Sequence, residues 1–207
     1  MARKAAYHHG DLRRALLDAA LAQIEDEGVA ALSLREVARR AGVTHQAPYH
    51  HFADRAALLG ALAAEGFSLL LRSMQTAQAA VKAGARARLV AAGKGYIDFA
   101  LAHPGHFRLM FRPELHEGAQ VPEGGAAYQV LVDSVEAAQA VGEVPAGPPG
   151  ALVTLCWSVV HGFALLWLDS QLSAAASRKE AQAGTLAMLD ALLAGAAPGV
   201  GSGAKRR

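Results

Sequence analysis

The sequence contains very few of the residues that build disulfide frameworks, cysteine metal clusters or aromatic-rich cores. Its 207 residues include one cysteine, Cys156, and 6% are aromatic. One cysteine excludes an internal disulfide and a cysteine-based metal cluster. Alanine occupies 48 positions and β-branched residues are scarce, which favours an all-α fold. The hydrophobic fraction of 53% is ample for a core.

Local patterns typical of common enzyme classes are also missing. No glycine-rich phosphate loop follows a strand, and no nucleophile elbow occurs. Cys156 lies in an apolar run, where an unreactive buried thiol is expected. His103, His106 and His116 are close in sequence, but an intervening Pro-Gly pair breaks the helical spacing of a metal-binding histidine pair. We therefore expect no catalytic residue, no metal and no cofactor.

One uncharged run raises the question of a membrane segment. Ala151 to Leu168 contains eighteen residues without Asp, Glu, Lys or Arg, which is barely spanning length. Because Thr154, Ser158 and His161 interrupt it, a buried helix is the better interpretation. The N-terminus shows no apolar secretory signal. We expect a cytoplasmic protein without a membrane partner.

Charge is unevenly distributed although the net value is only +2. Residues 1–60 carry eight Lys or Arg, seven Asp or Glu and five of the nine histidines. Residues 61–195 carry nine basic and eleven acidic residues, so this stretch has a net charge of −2. The bias is compatible with an N-terminal contact to a polyanion, but its size alone decides nothing.

The first 60 residues predict four helices. An apolar stripe at three- and four-residue spacing predicts an amphipathic helix over Leu12–Glu27, which Gly28 ends. Ser33 and Glu36 have the spacing of a capping box, and the short helix they begin ends at Gly42.

A third and a fourth helix follow this turn. Thr44 is placed to cap a helix over about His45–His51, with Pro48 in its first turn. Asp54 is placed to cap a longer helix that runs towards Ala80.

The remaining chain also reads as helices separated by breaks. Residues 112–125 and 142–150 are rich in Pro and Gly and predict loops. The predicted helices and one short apolar segment are Ala85–Ala102, His106–Phe111, Ala126–Val141, Ala151–Leu172 and Arg178–Leu193.

Two short helices joined by a glycine turn over residues 33–52 are typical of a helix-turn-helix, whose second helix enters the DNA major groove. Gln46 can read an adenine edge, while the Thr44 hydroxyl and the first backbone amides suit phosphates. Tyr49 and His51 project from the next turn. An ordinary helical hairpin with solvated polar residues is the alternative interpretation.

The stretch Ala31–Thr44, with Pro48–Phe52 and Asp54–Leu59, closely resembles the tetracycline-repressor-like (TetR) family of bacterial regulators. The resemblance covers about residues 10–60. It implies an all-α homodimer with an N-terminal helix-turn-helix, three-helix DNA-binding domain and a C-terminal effector-binding and dimerisation domain. Such proteins are usually repressors released from operator DNA by a small molecule.

The resemblance implies DNA contacts residue by residue. Positions that face bases or nearby backbone are matched by Arg35, His45, Gln46 and Tyr49, and positions that hold phosphates by Ser33, Thr44, His51 and Arg55. Phe52 matches a core aromatic. Pro48 departs from the Leu or Ile of many members and is expected to alter the pitch of the recognition helix. The N-terminal arm, with Arg3, Lys4, His8 and His9, is either a disordered tail or a further contact to the minor groove or the DNA backbone.

The C-terminal half offers a weaker resemblance. Trp157, His161 and Gly162 resemble the Trp…His-Gly signature of one TetR C-terminal subgroup, and so does the stretch His103–Phe107. Trp157 and His161 share a helix face, and Gly162 is expected to permit a close helix approach. A pocket with an aromatic wall is one interpretation, and a core histidine is the other. The candidate effector residues are Tyr96, Phe99, Phe107, Met110, Phe111, Tyr128, Trp157 and His161, with Phe163 and Trp167 as further candidates.

The last two predicted helices suggest how the chain dimerises. Ala151–Leu172 is apolar around most of its circumference, and Arg178–Leu193 has a second apolar stripe. Two such helices from each subunit would form a four-helix interface, whereas complete burial within one chain is the alternative. A two-fold dimer predicts a palindromic operator with half-sites about 34–36 Å apart or further.

These observations predict four regions and one leading function. The regions are a flexible basic arm (1–10), the helix-turn-helix DNA-binding domain (11–56), the effector-binding and dimerisation domain (57–195) and a disordered tail (196–207). We expect a cytoplasmic, non-enzymatic repressor that binds double-stranded operator DNA and responds to a small hydrophobic or aromatic effector. The competing hypothesis is an all-α lipophile-binding or enzymatic protein whose helix-turn-helix is vestigial.

Overall fold

A computed structural model of the chain describes residues 9–119, 121–172 and 177–195. Within these ranges the secondary structure is entirely helical, as the composition predicts. The eight α-helices are α1 (His9–Glu27), α2 (Leu34–Arg40), α3 (Arg55–Ala79), α4 (Ala85–Ala102), α5 (Pro104–Met110), α6 (Glu123–Ala140), α7 (Pro149–Leu168) and α8 (Arg178–Leu193). Most of the predicted arm and the whole predicted tail lie outside the described residues.

Contacts divide the chain into two compact units. The first contains residues up to Ser68 together with His103–Gly124, and the second contains Leu69–Ala102 and the residues from Gly125 onwards. The segment 103–124 therefore packs with the helices of the N-terminal region, although it follows α4 in the chain. Its place in the first unit could not be read from the sequence, because it depends on long-range packing.

The core of the first unit comes from the predicted apolar stripe. Leu16, Ala20 and Ile24 of α1 are buried, and Val37 of α2 and Phe52 pack into the same cluster. α3 contributes Leu58, Leu59 and Leu62, and α5 contributes Leu109. Burial of these side chains fixes the angle between α1, α2 and the following turn.

The second unit is organised around α4. Ala92, Ile97 and Phe99 are among the fully buried residues of this helix. α4 packs against α7 and α8, which also pack against each other. Gly95 makes the close approach to α3 possible, since a Cβ at this position would lie 2.6 Å from the carbonyl oxygen of Ser73. The Ser73 hydroxyl donates to the carbonyl oxygen of Gly95, 2.8 Å away.

α7 is buried on one face only. Val153, Cys156, Val160, Phe163 and Ala164 are buried, whereas other apolar side chains of the helix are exposed. Complete burial within one chain, one of the two alternatives for this run, is therefore wrong. By length and composition α3 and α7 could both cross a membrane, which is weak evidence for a membrane segment because the core helix of a soluble protein passes the same test.

Several local predictions need correction. The expected α-helix over His45–His51 is instead a turn followed by a 3₁₀ helix, Ala47–His50. Pro48 has no N–H to donate to Thr44, and the N–H groups of Ala47 and Tyr49 bond three residues back, to Thr44 and Gln46. Thr44 does not cap this element, which follows Gln46 without a side-chain cap.

The predicted capping box is only partly realised, and the predicted close approach at Gly162 is not found among the described residues. Ser33 accepts from the backbone N–H of Glu36, but the Glu36 carboxylate binds arginines instead of returning to Ser33. The expectation of a close approach at Gly162 is wrong, because no atom of the described residues outside its own stretch of helix lies within 4 Å of a Cβ built there. α7 ends at Leu168, four residues before the predicted end, and α1 begins three residues earlier than predicted.

Candidate nucleic-acid interface and aromatic cluster

The turn between α2 and the 3₁₀ helix has the geometry of a helix-turn-helix. α2 ends at Arg40, and Gly42 in the turn that follows adopts φ +69°, a conformation that glycine accepts without steric cost. Val43 then donates its N–H to the carbonyl oxygen of Ala38 at 3.0 Å, which closes the end of α2. The chain reverses here and leads directly into the polar residues that follow.

The candidate DNA-contacting side chains are predominantly exposed. Tyr49 is 54% exposed, although it is a large aromatic residue with nothing apolar to bury it. Thr44, His45 and Gln46 are exposed too, and the Gln46 amide contacts the His45 ring at 3.2 Å. Arg35 and His45 line the same cleft of about 390 Å³. We call Arg35, Thr44, His45, Gln46 and Tyr49 the reading surface.

Arg35 is the arginine of α2 that its neighbours leave available. Arg39 binds Glu36, at 2.6 and 2.7 Å, and Arg40 binds Asp26, Glu27 and Glu36. Arg35 has no carboxylate partner among the described residues. Hydrogen bonding to Arg39, with Arg40 also contributing, lowers the pKa of Glu36 to about 2. The acidic residues of this region thus neutralise Arg39 and Arg40 and leave Arg35 to face solvent.

Three predicted contact residues occupy more constrained positions. Ser33 caps α2, its hydroxyl accepting from Glu36 at 3.2 Å. His51 is half-buried beside Phe52, which is in the core as predicted. Arg55 donates to the carbonyl oxygens of Leu32, at 3.0 Å, and Val29, at 2.6 Å. Arg55 therefore ties the start of α3 to the segment before α2.

A buried glutamine that sequence reasoning missed supports this surface from below. Gln23 of α1 is 1% exposed and donates to the carbonyl oxygen of Ala31 at 3.0 Å. Its own oxygen accepts from the N–H of Ser33 at 3.5 Å. Gln23 lies on the inner stripe of α1, so a polar residue at that position was the available signal.

In the second unit, four of the predicted effector residues form one cluster. The Tyr96 hydroxyl lies 2.6 Å from Nδ1 of His161, and Nε1 of Trp157 donates to the same hydroxyl at 3.3 Å. Tyr128 packs edge-on against Trp157, with ring centroids 5.9 Å apart. We call Tyr96, Tyr128, Trp157 and His161 the aromatic cluster.

The cluster is buried at one end and exposed at the other. Tyr96 is 6% exposed, whereas Trp157 is 37% and Tyr128 is 46% exposed. Burial raises the pKa of Tyr96 and lowers the pKa of His161, so both side chains are neutral at neutral pH. The arrangement offers a small molecule an aromatic surface above a fixed set of neutral polar groups.

The other predicted effector residues lie elsewhere. Phe99 is buried in the second unit, and Phe107 and Met110 are buried in the first. Phe111 packs edge-on against Phe67 and Phe107. Of the two further candidates, Phe163 is buried and stacks on Trp167 with centroids 6.1 Å apart. Cys156 is buried, which raises the pKa of its thiol to about 11, as expected for an unreactive thiol.

A cleft of about 670 Å³ in the second unit was not predicted. Lys94, Asp98, Arg178, Lys179 and Gln182 supply its polar lining. Gln182 of α8 donates to Asp98 of α4 at 2.7 Å, which joins the two walls. These residues are distant in sequence, so only the packing of α8 on α4 brings them together.

Two family models match the chain. The model for bacterial regulatory proteins of the tetR family matches residues 16–62, and the model for the tetracyclin repressor-like C-terminal domain matches residues 89–197. A solved structure of a protein with unknown function from Rhodococcus sp. RHA1 is 38% identical. The match covers 92% of this chain and 100% of that one, with a TM-score of 0.80.

Two more distant structures show the same fold. A bacterial regulatory protein in the tetR family from Rhodococcus RHA1 is 15% identical over 88% of this chain and 96% of that one, with a TM-score of 0.72. A TetR family transcription regulator from Marinobacter aquaeolei VT8 is 19% identical over 87% and 94%, with a TM-score of 0.68.

Proposed function

Because this chain belongs to the tetR family of bacterial regulatory proteins, a family of DNA-binding transcription regulators, we propose that it is a repressor that binds a palindromic operator as a homodimer. A small hydrophobic or aromatic effector releases it from the DNA. The observation that carries the proposal is the reading surface, where exposed polar side chains are concentrated around the turn of a helix-turn-helix. The protein acts in the cytoplasm and catalyses no reaction.

The roles on the DNA follow from the chemistry of each side chain. Gln46 and Arg35 carry donors suited to base edges in the major groove, and Thr44 and Ser33 suit phosphates. Tyr49 and His45 contact bases or the adjacent backbone, and His51 holds the backbone at the edge of the groove. Arg55 already donates from Nε and Nη2 to the carbonyl oxygens of Leu32 and Val29. It binds a phosphate with its remaining N–H groups.

Binding is tested by fluorescence anisotropy on a labelled duplex from the region upstream of the gene, with excess nonspecific competitor DNA. Tyr49→Ala should abolish specific binding and leave the oligomeric state unchanged. Arg35→Ala should weaken binding and lower the salt slope by about one. Arg72→Ala, a change of an exposed arginine of α3 outside the reading surface, is the matched control. Unchanged binding by Tyr49→Ala would refute this reading surface.

Dimerisation is supported by the exposed apolar side chains of α7 and α8. Leu165 and Leu166 of α7 are 38% and 46% exposed, and Met188 and Leu192 of α8 are 64% and 42% exposed. Apolar side chains left in contact with water on two neighbouring helices are typical of an interface. Leu166→Glu should produce monomers in sedimentation velocity experiments and weaken operator binding, whereas Glu180→Gln should leave the dimer intact. A wild-type monomer would contradict the proposal.

The aromatic cluster is the proposed effector site. Ligand binding there would act on DNA through α3, a continuous helix whose residues up to Ser68 belong to the first unit and the rest to the second. Because coupling is reciprocal, operator DNA should weaken effector binding by the factor with which the effector weakens operator binding.

A panel of small aromatic and aliphatic compounds, screened by thermal shift, should yield ligands. Trp157→Ala should lose their binding, whereas Lys179→Ala, in the polar cleft, should retain it. The reverse result would place the effector in the polar cleft. A ligand that binds equally with and without operator would refute release by this route.

A further inference from the structure

His106 of α5 is buried without hydrogen bonds. It is 2% exposed, and neither ring nitrogen has a hydrogen-bond partner among the described residues. Gly66 of α3 leaves room for the ring, since a Cβ at residue 66 would lie 3.1 Å from Cβ of His106. An imidazole enclosed in this way and left unpaired is uncommon, because buried polar groups are normally satisfied.

The nearest carboxylate to this ring already serves another helix. Nη1 of Arg14, on α1, donates to Oε2 of Glu65, on α3, at 2.7 Å. Nε2 of His106 lies 3.6 Å from Oε1 of the same carboxylate, slightly beyond hydrogen-bond distance. Glu65 thus stands between two groups, one always cationic and one cationic only when protonated.

Other charged and titratable groups surround Arg14 and His106. Arg14 is held by Asp18 on its own helix, with Nε 2.8 Å from the carboxylate. His103 lies beside His106, with ring centroids 6.0 Å apart. Glu25 of α1 approaches Gly105 on the neighbouring part of α5. Burial lowers the pKa of His106, Glu65 opposes this, and His103 and Arg14 reinforce it. At neutral pH the His106 ring is neutral and the Glu65 carboxylate is paired with Arg14.

We propose that Arg14, Glu65 and His106 form a proton-operated latch between α1 and α3, in which protonated His106 competes with Arg14 for the Glu65 carboxylate. Taking up one proton from solvent makes the ring a cation with an N–H on both nitrogens, and the charged Nε2–H then draws Oε1 towards it and weakens the Arg14 bond. The latch loosens α1, on which the first unit's core is built, as the pH falls. It does not depend on the proposed function; if that function holds, acid weakens operator binding.

The test follows the ring protons of ¹³C-labelled histidine by NMR in the full-length protein from about pH 8 to about pH 5. His106→Gln identifies the signal. Arg14→Gln should raise the titration midpoint of His106, because it frees Glu65 for the ring. Glu65→Gln should lower the midpoint. Arg13→Gln is the matched control, since Arg13 is adjacent in sequence but lies over the ring of Phe52; the midpoint should not move.

Equal midpoints in wild type and Arg14→Gln would overturn the proposal, because a ring that is merely buried would not respond to its competitor. Equal shifts in Arg14→Gln and Arg13→Gln would also overturn it, as a general charge effect. Hydrogen exchange of α1 amides, corrected for intrinsic pH dependence, should show protection falling with pH in wild type but not in His106→Gln. If the protein binds no DNA, the proposed function is refuted. The NMR and hydrogen-exchange measurements still test the latch, because they do not depend on DNA.

Discussion

The reading surface and the aromatic cluster treat polar side chains in opposite ways. On the reading surface, Gln46 and Tyr49 are exposed, and the surrounding acidic residues bind Arg39 and Arg40. In the aromatic cluster, the Tyr96 hydroxyl is buried and joined to His161 and Trp157. Exposed groups stay solvated, whereas a buried, hydrogen-bonded group is already held in one orientation by its neighbours.

The contacts that position the two sites also differ, since those around the reading surface are local in sequence and those around the aromatic cluster are long-range. A capped helix and a glycine turn, both built from residues close in sequence, position the reading surface. Contacts between α4 and α7, more than sixty residues apart, position the aromatic cluster. Substitutions that break local or long-range contacts should therefore affect the two sites differently.

The largest effect is expected at Gly95, which lies against the backbone of α3. A Cβ there would meet the backbone of Ser73 and Met74 at 2.6–2.9 Å. Gly95→Ala should lower the free energy of unfolding by about 1–3 kcal/mol, because backbone cannot move aside as a side chain can. Gly162→Ala is the control and should stabilise α7 by roughly 0.5–1 kcal/mol. Urea unfolding measures both free energies. If only Gly162→Ala destabilised the protein, the close helix approach would be at Gly162 and not at Gly95.

A smaller effect is expected from removing the buried hydroxyl of the aromatic cluster. Tyr96→Phe leaves the N–H of Trp157 and Nδ1 of His161 without this partner, which should cost about 1–2 kcal/mol. Tyr128→Phe makes the same chemical change on a side chain that is 46% exposed, and its unfolding free energy should match wild type. Denaturant titrations measure the unfolding free energy of both variants. Equal losses would show that the buried Tyr96 hydroxyl contributes no more to stability than the exposed Tyr128 hydroxyl.

The N-terminal caps of α2 and α8 allow the stability contribution of a local contact to be compared between the two units. Ser33 makes half of a capping box at α2, whereas Ser177 and Glu180 form the complete, reciprocal box at α8. Ser33→Ala should cost about 0.5–1 kcal/mol and Ser177→Ala slightly more, about 1 kcal/mol. Chemical denaturation gives both values. If Ser33→Ala costs more, the Gln23 contact to Ser33 depends on the hydroxyl cap.

The smallest effect is a pH dependence. Burial lowers the pKa of His161 in the folded state, so the unfolded chain binds protons more readily below its own pKa of about 6.5. The contribution of His161 to stability is therefore present above that pH and is lost as the pH falls below it. His161→Gln should flatten this part of the plot of unfolding free energy against pH. A plot with unchanged slope would show that the ring is not protected from solvent.

The sequence predicted elements well where the signal is local. α4 and α8 have the predicted boundaries, and Asp54 caps α3 with a 2.8 Å bond to the N–H of Ala57. The helix over 45–51 was mispredicted, because the missing N–H of Pro48 outweighs the pattern that favours an α-helix. The complete capping box at Ser177 was present in the sequence as Ser-x-x-Glu and was not recognised.

Within the candidate sites, the sequence could identify residue types but not their neighbours. Trp157 and His161 share a helix face, as their four-residue spacing predicts. The third member of that hydrogen-bonded set, Tyr96, was one of several aromatic candidates until packing of α4 on α7 selected it. Phe107, Met110 and Phe111 could not be separated from that group, because the grouping of segment 103–124 with the first unit is a long-range property.

By itself, the sequence determined an all-α chain with a helix-turn-helix near its start, because helix periodicity, caps and glycine turns are encoded within a few residues. Only the tertiary structure decided which arginine of α2 stays available, which face of α7 is exposed and which carboxylate stands between Arg14 and His106. Those outcomes depend on side chains far apart in sequence, whose burial and charge are set by the neighbours that folding brings to them.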